Sequence, residues 1–210
     1  CALNEKKEVG LFVIPKNTKG LTTSVIENKT SLKISPTGQI ILDNIKISKN
    51  LILPKTNGWK SIYSCLNNAR YGIAWGAMGA ANNAWLISKD YVENRIMFKK
   101  PLAANQLIQK KLVIMQTEIS LGLSACLHAG RALDIGKDLK IAISMLKRNN
   151  CKKAIDIVRE ARDMMGANGL LEEYHIMRHL VNLETIKTYE GSEDIHTLIL
   201  GKSQTNLNSF

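Results

Sequence analysis

Glu190 is the carboxylate in this sequence best placed to do chemistry. It lies in Thr188-Tyr189-Glu190-Gly191-Ser192-Glu193-Asp194-Ile195-His196, close to the C-terminal end. Gly191 permits backbone angles and a close ligand approach that a side chain would forbid. Ser192 is a good N-cap, and Ile195, Leu198 and Ile199 follow it at helical spacing. A carboxylate is therefore set on a tight turn before a helix start, where outward backbone N–H groups favour an anion. Such a group is either solvated and idle or, if desolvated beside a substrate, a base. Glu193 is its neighbour and local competitor. His175 and His179 stand four apart with Glu172 and Glu173 upstream, but no third ligand at suitable spacing supports a zinc site. The cysteines at 1, 65, 126 and 151 form no C-x-x-C pair, so neither a zinc knuckle nor a redox motif is supported.

The elements that must position Glu190 read as helices. Ala69, Ile73, Ala77, Ala80, Ala84, Ile87 and Tyr91 step by three or four, beginning after Ser61. Gly72, Gly76 and Gly79 on this helix predict close helix–helix approach, since no Gly-Lys-Ser/Thr follows to make a phosphate loop. A second stripe runs Leu112, Met115, Ile119, Gly122, Cys126, Ala129, Leu133, and a third Cys151, Ala154, Val158, Ala161, Met165, stopping at Gly166. Cys126 and Cys151 fall on these stripes and read as reduced core residues. Shorter helices near 171–186 and 192–208 complete a bundle. Ahead of it, residues 1 to about 53 read as strands. Val9-Gly10-Leu11-Phe12-Val13-Ile14 is a short apolar run closed by Pro15. Leu32, Ile34, Ile40 and Leu42 alternate around a Ser35-Pro36-Thr37-Gly38 turn, and Ile45, Ile47 and Leu51-Ile52-Leu53-Pro54 finish the region. Three or four strands do not easily make a stable sheet with two covered faces, so this region reads as the remainder of something larger.

Of the 210 residues, 45% are hydrophobic and 22% charged, ordinary for a globular protein. The net charge of +11 comes from 29 Lys and Arg against 18 Asp and Glu. The lysines are scattered, without aromatics between them, which argues against nucleic acid and leaves polyanionic small ligands open. The apolar run from Ile73 to Ile87 is too short to span a membrane and contains Asn82 and Asn83. No membrane span is expected. Cys1 to Lys7 lacks the apolar core of a targeting segment.

Several separated motifs resemble one family. Tyr-Glu-Gly-Ser-x-Asp-Ile-His at 189–196, Asp163-Met164-Met165-Gly166-Ala167-Asn168-Gly169 and the Glu-Tyr-His at 173–175 resemble the C-terminal part of the acyl-CoA dehydrogenases. Leu66-Asn67-Asn68-Ala69-Arg70-Tyr71-Gly72-Ile73-Ala74-Trp75-Gly76, Asn105 to Leu112, and Leu146-Lys147-Arg148-Asn149-Asn150-Cys151 are most similar to its glutaryl-CoA dehydrogenase branch. The resemblance covers essentially the whole chain. It implies a mainly α fold: a C-terminal antiparallel four-helix bundle over 56–210, preceded by part of a middle β-domain over 1–55. It also implies that the N-terminal helical domain of the family is missing, through a fragment or a truncated gene.

By the same resemblance the activity is FAD-dependent oxidation of an acyl-CoA. The expected reaction is oxidative decarboxylation of glutaryl-CoA to crotonyl-CoA, with another acyl-CoA dehydrogenase or oxidase, or a non-catalytic helical fragment, as alternatives. Glu190 matches the α-proton-abstracting base; Glu193 does not follow Tyr and precede Gly. Arg95 and Phe98 match contacts to the FAD diphosphate side, where a guanidinium suits phosphate oxygens. Gln106 and Asp163, Met164, Met165, Gly166 and Ala167 match contacts to a neighbouring subunit's FAD. Ser192, Glu193 and Asp194 match contacts to the subunit's own. Lys99 and Ala167 replace glycines of the family pattern. For the acyl-CoA the matching residues are Tyr63, Ser64, Cys65, Leu66, Asn67, Asn68, Ala69, Arg70, Gly191 and Phe210. Implied partners are electron-transferring flavoprotein and further copies of the chain, as a tetramer. The implied location is the mitochondrial matrix in a eukaryote and the cytoplasm otherwise.

Overall fold

The computed structural model describes residues 1–3, 7–56 and 58–208. By contact density it falls into two units, Cys1–Leu66 and Asn67–Phe210.

In the first unit, β1 (Ala2–Leu3) pairs antiparallel with β2 (Val9–Gly10), and Phe12 bridges Ile52. The main ribbon is β3 (Leu21–Ile26) against β4 (Thr37–Leu42), in register from Leu21 opposite Leu42 to Ile26 opposite Thr37. The strand expected around Leu32 and Ile34 is not formed. Those residues lie in the connection between β3 and β4, where Leu32 takes a φ of 45° and the Lys29 ammonium donates to the carbonyls of Leu32 and Ser35. The true partner of β4 is Leu-Thr-Thr-Ser-Val-Ile. Its polar middle suits an exposed strand and carries no apolar alternation.

The second unit is helical. α1 (Gly58–Asn94) begins in the first unit and continues into this one. α2 (Gln106–Asp134), α3 (Lys140–Met164), α4 (Ile176–Thr188) and α5 (Glu193–Thr205) follow. The fold class is the expected mainly α bundle, with α2, α4 and α5 all packed on α3. The α2 and α3 stripes hold: Met115, Ile119, Gly122, Cys126 and Ala129 are buried, as are Cys151, Ala154, Val158, Ala161 and Met165. Each fully buried side chain of Met, Leu or Val size contributes about 1.5–3 kcal/mol. α3 ends where Gly166 turns to a φ of 57°. On length and composition α2 is the one helix among the described residues that could cross a membrane, but its buried stripe is that of a bundle helix.

On α1 the expected stripe is met in part: Ala77 and Ala84 are fully buried, Ile73, Ala80, Ile87 and Tyr91 are partly buried against the core, and Ala69 is exposed. The buried positions are Arg70, Ala74, Ala77, Met78, Ala81, Ala84, Ser88 and Val92. The three glycines do not mediate helix approach: a Cβ at Gly72, Gly76 or Gly79 would meet open space. Close approach is made from the facing helix. A Cβ at Gly122 would stand 2.5 Å from the Met78 sulfur, and one at Gly130 2.4 Å from the Tyr71 hydroxyl. Asn150 of α3 ties the three long helices together, its amide reaching the carbonyls of Ala74 (3.3 Å) and Gly122 (3.4 Å).

Candidate functional site

The join between α4 and α5 is four residues long, Tyr189 to Ser192, and turns on two successive left-handed residues. Glu190 has a φ of 56° and Gly191 of 97°. A non-glycine residue in that region is strained and persists only where its surroundings hold it. The holding groups are two buried cations. Arg70 of α1, 8% exposed, donates from Nε to the Glu190 carbonyl at 2.8 Å and from Nη1 to Asn67 at 3.2 Å. Lys147 of α3, 1% exposed, donates to the carbonyls of Lys187 (3.0 Å) and Gly191 (2.6 Å). Ser192 caps α5 by accepting from the Ile195 amide.

His196, on the first turn of α5, is fully buried under this join, and a Cβ at Gly191 would stand 2.9 Å from its Nε2. Burial, with Lys147 and Arg70 nearby, pulls the imidazole pKa down to about 4, the Glu190 backbone opposing weakly. Burial lowers the Lys147 pKa too, helped by Arg70 and opposed by Cys151, Glu190 and Glu193. The Cys151 thiol is pushed up to about 11 by burial, with Lys147 opposing.

Within this cage the Glu190 Oε2 atom is buried with no hydrogen-bond partner among the described residues, and so are both His196 ring nitrogens. An unpaired buried carboxylate oxygen is costly, and such groups are found at strained or catalytic positions. Glu193, by contrast, is paired with Lys187 at 2.9 Å and with Arg148 at 3.8 Å. Asp194 is exposed on the first turn of α5.

A second group of residues gathers at the other end of the long helices. Arg95, Asp163, Met164, Met165, Gly166 and Ala167 line one cleft of about 450 Å³ together with Tyr91 and Asn168. An adjoining cleft of about 650 Å³ shares Tyr91, Arg95 and Asn168. Asn168 donates to the Tyr91 hydroxyl at 2.8 Å. Asp163 is paired with Lys111 and Arg162, and Lys111 also holds Glu160 at 2.7 Å, which fixes the end of α3 to α2. The Lys111 pair draws the Asp163 carboxyl below the usual range. Phe98 tips the hairpin of β5 (Ile96–Met97) and β6 (Lys100–Pro101), 87% exposed, and Gln106 opens α2 behind the Asn105 cap.

Of the remaining sequence-derived positions, Tyr63, Ser64, Cys65, Leu66, Asn67, Asn68 and Ala69 all ride on α1, with Tyr63, Ser64, Cys65, Asn68 and Ala69 exposed. Phe210 lies outside the described residues. His179 meets Asn83 at 2.8 Å, and no cluster of three metal-ligating side chains occurs among the described residues. Sequence reasoning did not single out Lys147 or His196. Lys147 was detectable, since it lies four residues before Cys151 on the buried α3 stripe.

The comparisons with known proteins agree with this arrangement. Residues 56–205 match the acyl-CoA dehydrogenase C-terminal domain. An acyl-CoA dehydrogenase of Bacillus subtilis is 32% identical over 92% of this chain and 52% of its own. The structure of glutaryl-CoA dehydrogenase from Mycobacterium smegmatis in complex with FADH2 is 39% identical, with a TM-score of 0.93 over 96% of this chain and 52% of that one. Butyryl-CoA dehydrogenase from Megasphaera elsdenii is 25% identical, with a TM-score of 0.89 over 96% of this chain and 53% of its own. The chain thus spans about half the length of the relatives it matches. With this match covering residues 56–205 and the bundle in agreement, the chain belongs to the acyl-CoA dehydrogenase family.

Proposed function

We propose that this chain is the C-terminal half of an FAD-dependent acyl-CoA dehydrogenase that oxidises glutaryl-CoA, with Glu190 as the base that takes the α-proton. The observation that carries the reading is the buried, unpartnered Glu190 Oε2 on a strained turn between Arg70 and Lys147. Removing a proton beside a thioester needs a carboxylate that is partly desolvated and aimed, and the turn supplies both conditions. The Glu190 and Gly191 carbonyls bind the two cations, which fixes the peptide plane from which the carboxylate projects.

The residues fit FAD. Arg95 offers a guanidinium to a diphosphate, and the cleft it shares with 163–168 is large enough for part of a dinucleotide. Arg95 and Phe98 would meet the FAD diphosphate side, Gln106 and the 163–167 segment a neighbouring subunit's FAD, and Ser192 and Asp194, at the other end of the helices, the chain's own. FAD, when bound, supplies the acceptor for the hydride leaving the β-carbon. Asn67 and the exposed face of α1 near Tyr63 are the surface for the acyl-CoA. We place electron-transferring flavoprotein as the electron acceptor and a homo-oligomer as the working form. The M. smegmatis relative favours glutaryl-CoA, followed by loss of CO2 to give crotonyl-CoA. The M. elsdenii relative favours a short unbranched acyl-CoA as the second reading.

The test uses the full-length flavoprotein. Glutaryl-CoA should bleach the flavin absorbance, and Glu190→Gln should keep the flavin and lose at least a thousandfold in that rate. Undiminished bleaching in Glu190→Gln would remove the base assignment. Faster reduction by butyryl-CoA than by glutaryl-CoA would select the second reading.

A further inference from the structure

We propose that Lys147 is a positioning residue for Glu190: its buried ammonium ties the end of α4 to the start of α5 and so holds the carboxylate in its left-handed setting. The inference rests on Glu190 being the base. Lys147 projects from α3 with 1% of its surface exposed and takes as partners the carbonyls of Lys187 and Gly191, which bracket the turn. Lys187 belongs to the last turn of α4, whose carbonyls are unsatisfied within the helix and carry the negative end of its dipole. A neutral side chain could fill this space, but only a cation answers two carbonyls and a helix C-terminus together.

The cost of burying a lysine is large, and no carboxylate salt bridge among the described residues offsets it; its ammonium donates to two backbone oxygens that bracket the turn. Four charged or titratable groups face it: Arg70 from α1, Cys151 from its own helix, Glu190 from the turn and Glu193 from α5. His196 lies close enough to feel it as well. Arg70 holds the Glu190 carbonyl from the opposite helix, so the two cations grip successive peptide units. Lys147 touches no reacting atom in this arrangement. Its effect on the reaction is through the place and field of Glu190.

The experiment replaces Lys147 by Met, by Gln and by Arg in the full-length flavoprotein. Lys147→Met should slow flavin reduction at saturating glutaryl-CoA by tenfold to a hundredfold, with FAD content and KM changed less than threefold. Lys147→Arg should recover at least a third of the rate. A separate readout needs no turnover: the titration of His196, followed by NMR of labelled histidine, should move up towards the ordinary histidine range in Lys147→Met. An unchanged rate, or a lowered rate with His196 unmoved, would overturn the proposal. So would failure of both Met and Gln variants to fold, which would make Lys147 a stability residue. If Glu190→Gln still reduces flavin while His196 responds to Lys147→Met, the base assignment fails and the charge placement survives.

Discussion

Two turns in this chain set successive residues in the left-handed region, and they are held in different ways. At the β5–β6 hairpin Phe98 (φ 52°) and Lys99 (φ 65°) form a two-residue connection of the kind whose twist matches paired strands. Its strain is absorbed by local pairing, and Phe98 stands out in solvent. At the α4–α5 join Glu190 and Gly191 take similar angles, but the holding groups come from distant helices and are buried. The hairpin resembles the form of a generic loop. The join is an arrangement that local sequence preference would not produce, and that difference points to the join as the place where geometry matters for chemistry.

The largest expected effect tests the join. Gly191→Ala puts a methyl at a φ of 97° and 2.9 Å from His196 Nε2. It should cost roughly 2–3 kcal/mol, a fall of about 5–10 °C in Tm. A thermal melt unchanged within about 1 °C would mean the join is as tolerant as the hairpin. The next effect is in pH. His196 is fully buried with a pKa of about 4, below its unfolded value near 6.5. The unfolded chain therefore binds the proton first. Stability from this group is complete above about pH 6.5 and is lost as pH falls towards 4, by about 1–3 kcal/mol. Denaturant melts across that range should show the slope in wild type and lose it in His196→Gln. The smallest effect belongs to the hairpin. Lys99→Gly relieves a left-handed lysine while loosening the unfolded chain, and should raise Tm by about 1–3 °C. A fall would show that the lysine side chain holds the hairpin after all.

The sequence was most readable where burial uses apolar side chains at regular spacing. Five buried residues on α2, and four on α3 with Met165 just past its end, recur at three and four, and both stripes were legible. On α1 the fully buried line also runs through Arg70 and Ser88, so the apolar spacing marks the edge of the core face, where Ile73, Ala80, Ile87 and Tyr91 are partly buried. The three glycines of α1 looked like contact points because their spacing is helical, yet spacing says nothing about which face is covered. The β3 strand was missed because Thr22, Thr23 and Ser24 are exposed and carry no alternation. At the candidate site, Glu190 and the 163–167 segment could be located from the turn and from family wording. The position of Lys147 on the buried α3 line was legible, but its role was not, because a Lys-Arg pair on a helix ordinarily faces water and its two carbonyl partners come near only in the folded chain.

The Arg70 bond to the Glu190 carbonyl spans 120 residues of sequence, and the Lys147 bond to Gly191 spans 44. During synthesis at roughly 5–20 residues per second, Arg70 waits about 6 to 24 s for its partner to be made. α3 is complete at Met164, 26 residues before Glu190, so the first three helices can begin to close through Asn150 and their apolar stripes in roughly the last 1 to 5 s of that interval. The carboxylate turn cannot form until the segment after α4 has been translated. The growing chain can therefore pack its three long helices before the Glu190 turn exists.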